Sequence, residues 1–214
     1  MKALVYDGRS CTLKNMPAPT PQEGEVLIRT LYAGICGTDR AILNGRLPVS
    51  TPLIPGHEFV GEVIEAPGYG SEYLGQTVVG EMNITCSTCS MCRMGEPTHC
   101  LHNRQLGIDI HGTFAEYLVL PTANIHPVPS SLSPKRAVLT EPLAACLRSQ
   151  ELAPLSSEET AAVMGPGIIG SLSLQVLRAQ HPARIAVIGR SDESLRSAAQ
   201  QGANPGIDVR RENP

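Results

Sequence analysis

The chain of 214 residues carries 17 Lys and Arg against 20 Asp and Glu, a formal net charge of -3, and 42% of its residues are hydrophobic. That is enough for one large domain or two modest ones, and a slightly acidic balance with scattered positive charge argues against nucleic acid as a partner. The start Met1-Lys2-Ala3-Leu4-Val5-Tyr6-Asp7-Gly8 lacks the apolar core of a signal peptide, and no stretch approaches the roughly 20 apolar residues that span a bilayer, so no membrane partner and a cytoplasmic location are expected.

In chain order, short runs of β type come first: Ala3 to Tyr6, Glu25 to Tyr32, Phe59 to Ala66, Thr77 to Val79 and Phe114 to Leu120. Pro and Gly clusters such as Pro17-Ala18-Pro19 and Pro67-Gly68 separate them, which predicts an antiparallel or barrel-like domain. After Ser133 the pattern changes. Pro134 to Leu147 can form a helix with a Ser-Pro start, and Pro142 is expected to kink or interrupt it. Beyond a polar stretch, Ser156 to Glu159, the segment Thr160 to Met164 reads as a strand, Gly165 to Gly170 as a glycine turn and Ser171 to Gln180 as a helix. Arg184 to Ile188 and Ser191 to Gln201 repeat strand and helix, with Gly202 closing the second helix. A third strand is expected around Ile207 to Val209. The fold class expected is therefore mixed, a β-rich domain over residues 1–150 followed over 151–214 by the first half of a doubly wound α/β sheet, its first strand left with an unpaired apolar edge.

Seven cysteines with no export signal point to metal rather than disulfides. Cys86, Cys89, Cys92 and Cys100 follow one another at short spacings, and one loop can offer all four thiolates to a tetrahedral zinc. Such a site is closed, because no coordination position is left for substrate. His99 and His102 lie nearby and read as surface residues.

With this cluster, Gly34-Ile35-Cys36-Gly37-Thr38-Asp39 and Gly56-His57-Glu58, the chain resembles the zinc-containing medium-chain dehydrogenase/reductase family over nearly its whole length, C-terminally truncated. The resemblance implies that residues 1–150 are a GroES-like catalytic domain and residues 151–214 part of a Rossmann domain. It implies a structural zinc on Cys86, Cys89, Cys92 and Cys100, and a catalytic zinc held by Cys36 and His57. Glu58 is then either a ligand or sits immediately behind the metal, and Asp39 is an acceptor that orients His57. Glu141, in Thr140-Glu141-Pro142-Leu143, matches the glutamate that sorbitol and threonine dehydrogenase-like members supply as a ligand or exchangeable ligand, with Cys146 a weaker rival. Thr38 stands where the family has a proton-relaying hydroxyl.

Gly165-x-Gly167-x-x-Gly170 between a strand and a helix lets backbone amides approach a pyrophosphate, so Gly165, Gly167, Ile168, Ile169 and Gly170 are candidate coenzyme contacts. At the end of the next strand, Ile188-Gly189-Arg190-Ser191 presents a small residue, a cation and a hydroxyl where an NAD enzyme usually has a carboxylate, which favours NADP over NAD. The function expected is a zinc-dependent, NAD(P)-linked interconversion of a secondary alcohol, diol or sugar polyol, a small-molecule substrate, with its ketone or aldehyde. A full-length relative is expected to be a homodimer or homotetramer. The rival expectation is a non-catalytic zinc-binding fragment of such an enzyme, from a truncated or split gene.

Overall fold

The computed structural model describes residues 1–156, 159–180 and 184–211. Ser157 and Glu158 of the polar stretch lie outside the described residues. The chain divides into two compact units, Met1–Glu141 and Pro142–Pro214.

The first unit opens with an antiparallel hairpin of β1 (Lys2–Tyr6) and β2 (Cys11–Asn15). Its main sheet has five antiparallel strands in the order β8-β3-β4-β5-β9. These are β3 (Glu25–Ala33), β4 (Phe59–Glu65), β5 (Thr77–Gly80), β8 (Tyr117–Pro121) and β9 (Ile125–Pro127). A short pair, β6 (Asn83–Ile84) and β7 (Arg104–Gln105), flanks the cysteine segment. Apolar residues of the sheet, among them Val26, Ile28, Phe59, Val63, Val78, Leu118 and Leu120, bury their side chains in one core with Leu106. Each such burial contributes about 1.5–3 kcal/mol. The expected β runs are therefore present, with β2, β6, β7 and β9 in addition. The last three are only two or three residues long, too short for periodicity to register.

Helices in this unit are short: α1 (Gly37–Leu43), α2 (Ser90–Arg93) and α3 (Pro134–Ala137). The single helix expected from Pro134 to Leu147 is in fact two. α3 ends after Ala137, and α4 (Thr140–Leu152) starts three residues on. Pro142 neither kinks nor interrupts α4, because it sits in the first turn, where a missing N–H costs no intrahelical bond.

In the second unit β10 (Ala161–Met164), β11 (Ile185–Gly189) and β12 (Gly206–Asp208) pair in parallel in that order. α5 (Ile168–Gln180) and α6 (Asp192–Gln200) connect them. Leu174 and Leu177 of α5, Ile185 and Val187 of β11 and Ala198 of α6 form the core. Among the described residues β10 is paired on one side only, and Met164 at its end is 82% exposed. The strand–helix alternation and the open first strand agree with the expected α/β half.

One close approach ties the sheet-bearing unit together beside Gly56-His57-Glu58. The Gly112 N–H donates to the Ile54 carbonyl and the Thr113 N–H to the Gly56 carbonyl. A Cβ on Gly112 would collide with the Gly56 carbonyl oxygen and crowd Gly107, both backbone atoms that cannot swing away. Gly112→Ala should therefore destabilise this unit by about 1–3 kcal/mol, the usual cost of overpacking. Denaturant unfolding of the variant at a wild-type midpoint would contradict that.

Candidate metal and coenzyme sites

The cysteine lobe brings its four thiols together, with their Sγ atoms all within 4.8 Å of one another. Cys89 Sγ lies 3.5 Å from Cys92 Sγ and 3.9 Å from Cys100 Sγ, and Cys100 Sγ is 3.5 Å from Cys86 Sγ. Corners of a tetrahedron with zinc–sulfur arms of roughly 2.3 Å are about 3.8 Å apart, so the spacing fits the metal. The backbone prepares the thiolates. Ser87 takes a left-handed φ of 56°, and the turn it makes lets the Cys89 N–H donate to Cys86 Sγ at 3.3 Å. The N–H groups of Cys86 and His102 donate to Cys100 Sγ at 3.3 and 3.4 Å.

Hydrogen bonds from Thr88 and Cys89 hold the Cys86 thiol down to about 5, with the Thr88 backbone contributing most. Burial, followed by the neighbouring thiols, pushes Cys92 up to about 12. Four thiols this close share too little positive charge to ionise together, which is the deficit a divalent cation removes. His99 and His102 are exposed.

A second group unites two distant motifs. One donor atom each from Cys36, His57 and Glu58 lies within 4.8 Å of the others, and His57 and Glu58 are 2% and 7% exposed. Cys36 precedes α1 as its N-cap, and His57 and Glu58 immediately precede β4. The link between them is Asp39, fully buried in the first turn of α1. Its Oδ2 accepts the Cys36 N–H at 2.8 Å, and its Oδ1 accepts the Gly56 N–H at 3.0 Å. Asp39 thus holds the backbone on both sides of the group. The expected hydrogen bond from His57 is not made: Nδ1 lies 3.9 Å from Asp39 Oδ1 and is buried without a partner. The two amide donors occupy the carboxylate instead.

Charge in this pocket is unbalanced. Burial, reinforced by Glu141, raises the Glu58 carboxyl above its ordinary value. Burial, together with Asp39, raises Glu141, against the lowering pull of His57. A carboxylate from Glu58, the Cys36 thiol and the unpartnered His57 imidazole nitrogen are a donor set suited to a divalent cation. Glu141 stands outside the tight group of three, in the first turn of α4. Cys146 is buried in the second unit with its thiol directed to the Ile169 carbonyl, 3.6 Å away. Thr38 lies inside α1, with Oγ1 3.7 Å from Cys36 Sγ.

In the second unit the glycine turn and the end of β11 line a cavity of about 610 Å³. Gly165 has φ 85°, and a Cβ on Gly170 would strike the Gly165 carbonyl, so Gly170 lets α5 start close under the loop. Gly165, Gly167, Gly189, Arg190 and Ser191 all face the cavity. Ile168 and Ile169 do not. They are exposed residues of the first turn of α5, and only their backbone lies in the loop-to-helix junction. Ser194 and Val209 line the cavity without having been anticipated. Ser194 had a legible signal, since a residue three beyond Ser191 shares its helix face.

Residues 22–130 match the family described as the alcohol dehydrogenase GroES-like domain. The chain belongs to that family. This GroES-like chain is 35% identical over 221 aligned residues to L-threonine 3-dehydrogenase of Bacillus velezensis, covering all of itself and 64% of that relative. It is 32% identical to sorbitol dehydrogenase of Halalkalibacterium halodurans, covering 98% of itself and 63% of that protein. A Sinorhizobium meliloti structure described as a zinc-binding dehydrogenase bound to NADP superimposes with a TM-score of 0.93 at 32% identity, over 99% of this chain and 63% of that one. The chain thus spans about 64% of the length of the curated relatives it matches.

Asp39 is the group on which both halves of the first-unit site hang. Asp39→Ala removes two hydrogen bonds to a buried charged acceptor and strands two amides, so it should cost about 3 kcal/mol or more of stability. An unfolding midpoint within error of wild type would contradict this.

Proposed function

We propose that this chain supplies the metal centre and part of the coenzyme site of a zinc-dependent oxidoreductase that moves a hydride between a secondary alcohol, diol or sugar polyol and NAD(P). The observation that carries the reading is the gathering of Cys36, His57 and Glu58 by Asp39, in a chain that also folds a glycine loop at a helix start. Kinship with threonine and sorbitol dehydrogenases supports the substrate class. In this reading residues 1–150 are the zinc-binding domain and residues 151–214 part of the coenzyme domain, a full-length relative is a homodimer or homotetramer, and the setting is the cytoplasm. No helix among the described residues is long and apolar enough to cross a membrane.

Cys86, Cys89, Cys92 and Cys100 would hold one zinc, and Cys36 and His57, with Glu58 or Glu141, another. A zinc held there would supply Lewis acidity toward a substrate oxygen, and a bound nicotinamide would supply the hydride acceptor. The chain's own residues do the rest. Asp39 holds the backbones at Cys36 and Gly56, and in this reading Thr38 Oγ1, 3.7 Å from Cys36 Sγ, relays the proton leaving the substrate hydroxyl. Glu58, buried beside Cys36 and His57, and Glu141, half-buried and interacting with it, are two carboxylates that would suit ligand exchange at such a site. Backbone amides at the start of α5 favour the pyrophosphate, and Arg190 with Ser191 favours the 2′-phosphate of NADP.

Metal analysis tests the reading. Two zincs per chain are expected, with Cys36→Ser losing one and Cys92→Ser destabilising the lobe, because the free energy of structural metal binding is folding free energy. One zinc in the wild type, unchanged by Cys36→Ser, would remove the second site.

A further inference from the structure

Three arginines stand near the coenzyme cavity, and they differ in one respect. Arg190, which lines it, makes no ion pair among the described residues. Arg210 and Arg211, just beyond β12, are fully engaged. The Arg210 guanidinium donates to Asp208 Oδ2 at 2.6 Å and to Asp192 Oδ1 at 2.7 Å, while Arg211 reaches Asp192 Oδ2 at 3.4 Å. Asp208 is 6% exposed at the end of β12, and its bonds to Arg210 hold its carboxyl well below the usual carboxylate range. Asp192 is the first residue of α6, next to the N-cap Ser191.

Ser191 and Ser194, three residues apart, put their face of α6 on the cavity. Asp192 is turned about 100° from Ser191 around the helix axis, toward the β12 side where Arg210 meets it. It is also the nearest carboxylate in sequence to the place where an NAD enzyme presents an acid to the adenosine ribose. With two aspartates and two arginines, the network is neutral, which leaves Arg190 as the net charge a phosphate meets at this edge.

We propose that Arg210 is a positioning residue for coenzyme choice: by clamping Asp192 against Asp208 it withdraws a carboxylate from the ribose edge of the cavity and keeps that edge receptive to a 2′-phosphate. The inference rests on the NADP reading of the cavity. Without Arg210 the cluster carries a net negative charge, and Asp192, held then only by the longer 3.4 Å contact with Arg211, can swing toward the ribose. A 2′-phosphate is then repelled, while free 2′- and 3′-hydroxyls gain an acceptor.

The test is calorimetric binding of adenosine 2′,5′-bisphosphate and of 5′-AMP to the full chain, which needs no turnover. Wild type should prefer the bisphosphate. Arg210→Met should reduce the preference on the order of tenfold, the scale of one uncompensated charge at a partly exposed site. Arg210→Lys should retain it, and adding Asp192→Asn to Arg210→Met should restore it. Equal binding of both ligands by wild type would overturn the NADP reading, and this inference with it. If wild type prefers the bisphosphate, the NADP reading stands and the Arg210 variants decide alone. An unchanged preference in Arg210→Met, or a loss equal for both ligands that Asp192→Asn does not rescue, would overturn the inference. Should Arg210→Met not fold, Asp192→Asn alone serves: it should keep or strengthen the preference, and a weakened one would overturn the clamp.

Discussion

A single buried carboxylate organises the first unit's site. Asp39 accepts one amide from Cys36, in its own helix turn, and one from Gly56, which lies 17 residues further along the chain. Each bond is charge-assisted and shielded from water, so each is worth more than an average protein hydrogen bond. Losing either would leave a buried charge short of donors. The position of Cys36 relative to His57 and Glu58 is therefore set by backbone geometry before any metal arrives. A preformed group of this kind pays little conformational entropy on binding, although its crowded carboxylates pay an electrostatic cost while it is empty. The close packing of Gly112 on the Gly56 carbonyl fixes the same strand entry from the other side.

The two candidate metal groups are built by opposite means. The four-cysteine lobe is local: one turn, with a left-handed residue at Ser87, and a short helix deliver all its sulfurs within 15 residues of chain. Its information lies in spacing. The Cys36 group is non-local, with donors ahead of α1 and ahead of β4, and it depends on the five-stranded sheet to hold those elements. The coenzyme cavity is intermediate, being formed where β10 and β11 end and α5 and α6 begin.

What could be read from the chain follows this distinction. The cysteine spacing, the strand–glycine–helix pattern and the β runs of four or more residues are local signals, and they predicted the lobe, the α5 junction and most of the main sheet. The β2, β6, β7 and β9 strands escaped because pairing partners, not periodicity, define them. The break between α3 and α4 escaped because Pro142 is a breaker only inside a helix, and nothing in the local sequence places it in the first turn. Asp39 was identified beside His57, but the two amides it accepts were not: whether a carboxylate binds a side chain or backbone donors depends on backbone positions that spacing does not encode. Glu58 and Glu141 could not be ranked for the same reason. The pairing of Asp192 with Arg210, across 18 residues, was invisible until β12 was seen beside β11.

If both groups bind zinc, they do so with different ligand chemistry, and X-ray absorption at the zinc edge distinguishes them. Five cysteine sulfurs shared between two metals, together with nitrogen or oxygen donors from His57 and Glu58 or Glu141, predict a mixed first shell with an average of about 2.5 sulfurs per zinc. A shell of four sulfurs per zinc, with no nitrogen or oxygen, would mean that only the cysteine lobe binds metal and would contradict the account.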